Sequence, residues 1–178
     1  MKKISTFLVA SLLVTGAAFS QSQRLVLVEE FTGETCPPCA SQNPGFNAIM
    51  NANSTKGISI KYQNNVPSTG PNFWLYNTTD VSARATFLGA VGSNNYSPHG
   101  YMDGNLFDDV SGNFNVGLLN SRFAVASPFD IEVTHTLSPA QDIIYTHTVI
   151  RATQAISGNM SARVVVVESE VFGYTSPN

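Results

Sequence analysis

Leu25-Val26-Leu27-Val28-Glu29-Glu30-Phe31-Thr32-Gly33-Glu34-Thr35-Cys36-Pro37-Pro38-Cys39 holds both cysteines of the 178-residue chain. The apolar run at its start, ahead of turn residues, reads as a buried strand. Pro37 suits the first position of a helix, where the missing N–H would be an orphan anyway. The stretch therefore predicts strand, turn, then a helix with Cys36 at its N-terminus. A thiol placed there faces the positive end of the helix dipole, which favours thiolate. Cysteines at i and i+3 on the first turn can close a disulfide. Cys36, expected to be the outer one, would attack and Cys39, expected to be more buried, would resolve the mixed disulfide. The pair by itself also fits half of a zinc site or a purely structural bridge. No second cysteine pair exists, and His99, His135 and His147 lack paired ligand spacing, so no metal and no cofactor are expected.

Glu30-Phe31-Thr32-Gly33-Glu34-Thr35-Cys36-Pro37-Pro38-Cys39 resembles the active-site segment of the thioredoxin superfamily. The resemblance implies a thioredoxin-like α/β fold, a central mixed sheet flanked by helices. It also implies that Glu30, six residues before the first cysteine, is a buried acid that assists proton transfer to the resolving thiol. Thr35 stands where that family has tryptophan, and Pro37-Pro38 where it has Gly-Pro. Two prolines remove two backbone donors from beside the Cys36 sulfur and leave only the Cys39 N–H. A smaller depression of the Cys36 pKa than in strongly oxidising members is the expected result.

Residues 1–20 carry Lys2-Lys3, an apolar core from Phe7 to Val14, and the small residues Ala18 and Ser20, the pattern of a secretory signal peptide. The core is too short to span a bilayer. No cysteine follows the cleavage point, which argues against a lipid anchor. The remaining chain holds 7 Lys and Arg against 12 Asp and Glu, a net charge of −5. It has no basic cluster, hence no footprint for nucleic acid, and no transmembrane helix is expected in the mature chain. Export places the cysteines where disulfides persist.

Downstream, Phe46, Ile49 and Met50 have helical spacing, with a kink or break expected at Pro44-Gly45. Ile58 to Tyr62 alternates as a strand, completing a strand–helix–strand unit of the kind that builds a parallel sheet. A polar loop from Asn64 to Pro71 precedes a helical stretch, Phe73 to Leu88, in which Trp74, Val81, Ala85 and Leu88 recur. Thr79 or Asp80 is the expected restart cap. A second loop, Gly89 to Ser97, leads to Pro98-His99-Gly100-Tyr101-Met102-Asp103-Gly104. In thioredoxin-like proteins a cis-proline faces the cysteine pair and opens a strand ending in a turn glycine. The resemblance puts Pro98 in that role, with Ser97, His99 and Pro37 lining the partner groove and Asp103-Gly104 as the hairpin turn. His99 is expected either beside the thiolate, lowering its pKa when charged, or facing solvent. A strand or turn and a final helix, with Val116, Leu119 and Phe123 on one face, close the domain at residue 127.

From Pro128 the pattern is strand only. Phe129 to Leu137 and Ile143 to Ala152 alternate, and Ser161 to Val171 reads as a third strand. This predicts an incomplete immunoglobulin-like β-sandwich over 128–178, the start of a domain cut short, with His135 packed in its core. The whole arrangement is similar to Omp-type outer-membrane-associated proteins of Bacteroidetes with a thioredoxin-like head. That resemblance implies a periplasmic or outer-membrane, cell-surface address. It implies protein thiols or disulfides and a redox partner protein as partners. Two function classes result: an exported thiol–disulfide oxidoreductase, or a surface binding or structural protein whose Cys36–Cys39 bridge only stabilises.

Overall fold

β1 (Val26–Thr32) is the strand around which the larger unit is built. In the structure, a computed structural model that describes residues 22–67 and 72–168, its neighbours lie on both sides. β2 (Gly57–Gln63) pairs with it in parallel, Val26 opposite Gly57 through Thr32 opposite Gln63. β3 (His99–Met102) pairs antiparallel, Glu30 opposite Gly100, and β4 (Phe107–Val110) pairs antiparallel with β3. The sheet is thus mixed and four-stranded, in the order β2-β1-β3-β4. An apolar run with little alternation is what a central strand covered on both faces requires.

Helix α1 (Pro37–Ala52) covers one face. Val26 and Val28 pack there against Phe46, Met50, Met102, Phe107, Phe114 and Leu119. Leu119 comes from α4 (Val116–Phe123), which follows β4. Each large apolar side chain so buried stabilises the fold by about 1.5–3 kcal/mol. Gly57 permits the close fit at the sheet edge, since a Cβ there would sit 3.0 Å from both Leu119 Cδ1 and the Val26 carbonyl. Helices α2 (Asn72–Tyr76) and α3 (Thr78–Leu88) bring Trp74, Val81, Ala85 and Leu88 onto the second cluster, around Phe31 and Tyr101. Because side chains alternate along β1, Val26, Val28, Glu30 and Thr32 face α1, whereas Glu29 and Phe31 face α3.

Several expectations are corrected. α1 runs through Pro44-Gly45 without a break; Pro44 is exposed, and the hydrogen bond it omits lies on the outer side of the helix. Asn77, not Thr79 or Asp80, caps α3: its Oδ1 accepts from the Asp80 N–H at 3.3 Å. Asp103 and Gly104 do turn the chain, both at positive φ (43° and 90°), in a loop between β3 and β4 that runs to Leu106.

The chain divides into two compact units, and Pro128 to Ser157 forms the second. It is a hairpin of β5 (Phe129–Leu137) and β6 (Ile144–Ala152), in register from Phe129 opposite Ala152 to Leu137 opposite Ile144. The expected third strand is not formed among the described residues: 161–168 carry no regular secondary structure, and 169–171 lie outside them. His135 is exposed rather than packed, as are Ile131, Val133 and Leu137 on the same face, because two strands alone supply no covering layer. The signal-peptide expectation falls on residues 1–20, outside the described part. Among the described residues no helix is long and apolar enough to cross a membrane.

Candidate functional site

The turn after β1 delivers Cys36 to the start of α1 as its N-cap, in extended backbone at φ −127° and ψ 95°. Pro37 and Pro38 fill the first two helical positions, so the first free N–H is that of Cys39, which points at Cys36 Sγ over 3.2 Å. A sulfur thus stands where a serine or threonine oxygen usually caps a helix. The two cysteines are joined in a disulfide, with Cα atoms 5.2 Å apart. Cys36 is not the more exposed of the two: the residues are 1% and 2% accessible. Pro37 and Pro38 are exposed at the helix start.

Burial of Cys36 comes from two distant segments. The Ser97 carbonyl lies 3.6 Å from Cys36 Sγ, just before the cis peptide to Pro98. Pro98 is fully buried. The chain around Val66 crosses Gly33, where a Cβ would meet the Val66 carbonyl at 2.9 Å, so a side chain at 33 would push this segment away. Asn64 ties these pieces together. Its side chain is 2.9 Å from the Ser97 hydroxyl, and its amide nitrogen, turned inward, faces the Thr32 and Val66 carbonyls at 3.0 and 3.1 Å. Ser97 therefore lies beside the disulfide, and Asn64, in the loop after β2, joins it there.

Beneath α1, Glu30 is completely buried, and Lys61 Nζ approaches its Oε2 to 2.5 Å. That contact is an ion pair out of line for a hydrogen bond, and neither carboxylate oxygen has a hydrogen-bond partner. Lys61 sits opposite Glu30 in the β1–β2 register. Its ammonium also lies 5.2 Å from the Phe46 ring centroid. A cavity of about 390 Å³ opens beside the disulfide. Cys36, Cys39, Asn43 and Asn47 of α1, Lys61 and Gln63 of β2, and Phe73 of α2 help to line it. Thr32 Oγ1, at its floor, accepts from Asn43 Nδ2 at 2.9 Å.

His99 departs from both expectations. It is neither beside the sulfur nor in solvent: it is fully buried on the opposite face of the sheet, with Tyr101. Its Nε2 is 2.6 Å from Asp108 Oδ1 and its Nδ1 3.1 Å from the Asn94 carbonyl. The Tyr96 ring stacks on it at 4.0 Å. Burial, reinforced by the Asp108 carboxylate, raises the pKa of both tyrosines. His99 thus fixes the segment leading to Ser97-Pro98 from behind rather than touching the sulfur.

On that same face Glu29, 1% accessible, is clamped by Arg84 through Nε to Oε1 at 2.7 Å and a second nitrogen to Oε2 at 2.6 Å. The Tyr62 hydroxyl donates to Oε1 at 2.9 Å. Burial first, then the bond to Glu29, pushes the Tyr62 phenol up to about 12; the bond to Glu29 raises the Arg84 pKa as well. No protein family matches the chain, and no curated protein or solved structure matches it at a significant level.

Proposed function

We propose that the chain is an exported thiol–disulfide oxidoreductase of the thioredoxin-like class, acting on cysteines of partner proteins in the periplasm or at the outer membrane. The observation that carries this reading is the 3.6 Å approach of the Ser97 carbonyl to Cys36 Sγ. It brings residues 61 positions apart to one sulfur at a helix N-terminus. An extended partner segment lying along Ser97-Pro98 has its own sulfur delivered to Cys36. In the reduced protein the Cys36 thiolate attacks the partner disulfide, and one partner cysteine leaves as thiolate. The Cys39 thiolate then attacks Cys36 Sγ, restoring the intramolecular bridge and releasing the second partner thiolate. Glu30, with Lys61 beside it, is the group beneath α1 that accepts the Cys39 proton. The sheet order and the placement of Cys36, Pro98 and Glu30 support the thioredoxin-like class.

Replacing Cys36 with Ala is expected to abolish reduction of insulin disulfides by the reduced protein; activity that survives the change refutes the proposal. A second reading is favoured by the low exposure of both cysteines, 1% and 2%: a bridge that only stabilises a surface binding protein. The reduction potential separates them. Catalytic pairs span about −120 to −270 mV, whereas a structural bridge falls below about −300 mV.

A further inference from the structure

Two hydrogen-bond acceptors that line the cavity beside the disulfide lack a donor. Asn43 Oδ1 and Gln63 Oε1 are buried without a partner, and both residues line it. Charge has the same bias. Glu34 lines the cavity, its Oε2 accepting the Phe73 N–H at 3.2 Å. Lys61, the one cation among the described lining residues, is already matched by Glu30. A space of about 390 Å³ suits a side-chain-sized group.

We propose that this cavity receives an ammonium or guanidinium group carried next to the sulfur that exchanges with the Cys36–Cys39 pair. The inference rests on the redox reading above and adds a substrate preference to it. The cation has two sources, a free aminothiol or a Lys or Arg flanking a cysteine in a partner polypeptide. In the exchange, the incoming thiolate attacks one sulfur of the bridge. The Cys36–Cys39 bond breaks, a mixed disulfide forms, and the displaced cysteine takes up the proton that the incoming thiol lost. A second thiol then attacks the mixed disulfide, leaving two protein thiols and one disulfide of the incoming thiol.

The test uses the oxidised full chain with cysteamine, 2-mercaptoethanol and 3-mercaptopropionate, each rate divided by that thiol's rate with a small free disulfide. The division removes differences in thiol reactivity. Cysteamine is expected to lead the neutral thiol by about three- to fivefold and the anionic one to trail. The spread should shrink in high salt. A parallel arm uses peptides with a single cysteine flanked by Lys, Gln or Glu. A preference confined to cysteamine identifies a free aminothiol as the source, and one seen with peptides identifies a basic polypeptide. Glu34→Gln should flatten the preference, and Gln63→Lys, which puts a cation into the cavity, should reverse it. Equal normalised rates in both arms, or a preference untouched by both variants, overturn the inference while leaving the redox reading intact. No exchange with any thiol overturns that reading, and the inference falls with it.

Discussion

Glu29 and Glu30 are consecutive, equally buried and on opposite faces of β1, yet their surroundings differ in kind. Glu29 has a two-pronged guanidinium and a phenol, every bond between 2.6 and 2.9 Å. Glu30 has one ammonium out of hydrogen-bonding line and two oxygens without hydrogen-bond partners. A buried carboxylate is costly unless its oxygens are matched. The matched one holds α3 against the sheet. The unmatched one lies under the helix that carries the disulfide, where the proposed exchange places its proton acceptor. An anchor and the proposed proton acceptor thus occupy neighbouring positions of a single strand.

Breaking the anchor has the largest expected effect on stability. Arg84→Met leaves Glu29 buried with only the Tyr62 hydroxyl, and loss of one partner from such a pair costs about 3–5 kcal/mol. That is a large share of the roughly 5–15 kcal/mol that holds a domain together. A urea melt should show the drop, and the double variant with Glu29→Met should recover most of it. A single-variant loss below about 1 kcal/mol would mean that Glu29 anchors nothing, and the contrast between the faces would collapse.

Glu30→Gln sharpens the same contrast from the other side. Removing a charge whose oxygens are unmatched is expected to change stability by less than about 1 kcal/mol, because Lys61 can turn its ammonium toward the cavity it lines. The proposed chemistry should suffer instead. Release from a Cys36-linked mixed disulfide, followed by stopped flow, is expected to slow by about 10²-fold, the usual contribution of a positioned proton acceptor. Unchanged release with altered stability would reverse the roles assigned to the two residues.

How much of this could be read from residues alone varies with how local the cause is. The strand at Val26 and the cysteine at the head of a helix each follow from a short stretch of sequence, whereas the placing of Pro98 near them rests on the resemblance to the thioredoxin superfamily. The pairing of Lys61 with Glu30 follows from the register of two parallel strands joined through α1, which neither strand's own residues state. Asn64 reads as one more polar loop residue, since its role depends on the Thr32 and Val66 carbonyls and the Ser97 hydroxyl converging. The face that His99 takes depends on the β1–β3 register, Phe31 opposite His99, which is not local to its own stretch. Val164 to Val167 have strand-forming side chains, but strand preference expresses packing against neighbours, and those four valines are exposed.

The smallest expected effect is at Tyr62, and its sign follows from the raised phenol. In the unfolded chain a tyrosine loses its proton near pH 10; in the fold Tyr62 holds it up to about 12, through burial and the bond to Glu29. Between these values the folded protein binds more protons than the unfolded one, so stability falls as pH rises. The contribution is complete below pH 10 and is lost on approach to 12. Tyr62 is half-buried, so solvent screening limits the loss to about 1 kcal/mol. Tyr62→Phe should lower stability at neutral pH by a similar amount, through the missing bond to Glu29, and should flatten the alkaline slope relative to the parent. Denaturation midpoints of both proteins measured from pH 8 to 11.5 decide it. Parallel curves would mean that the phenol does not titrate late, and that Arg84 alone satisfies Glu29.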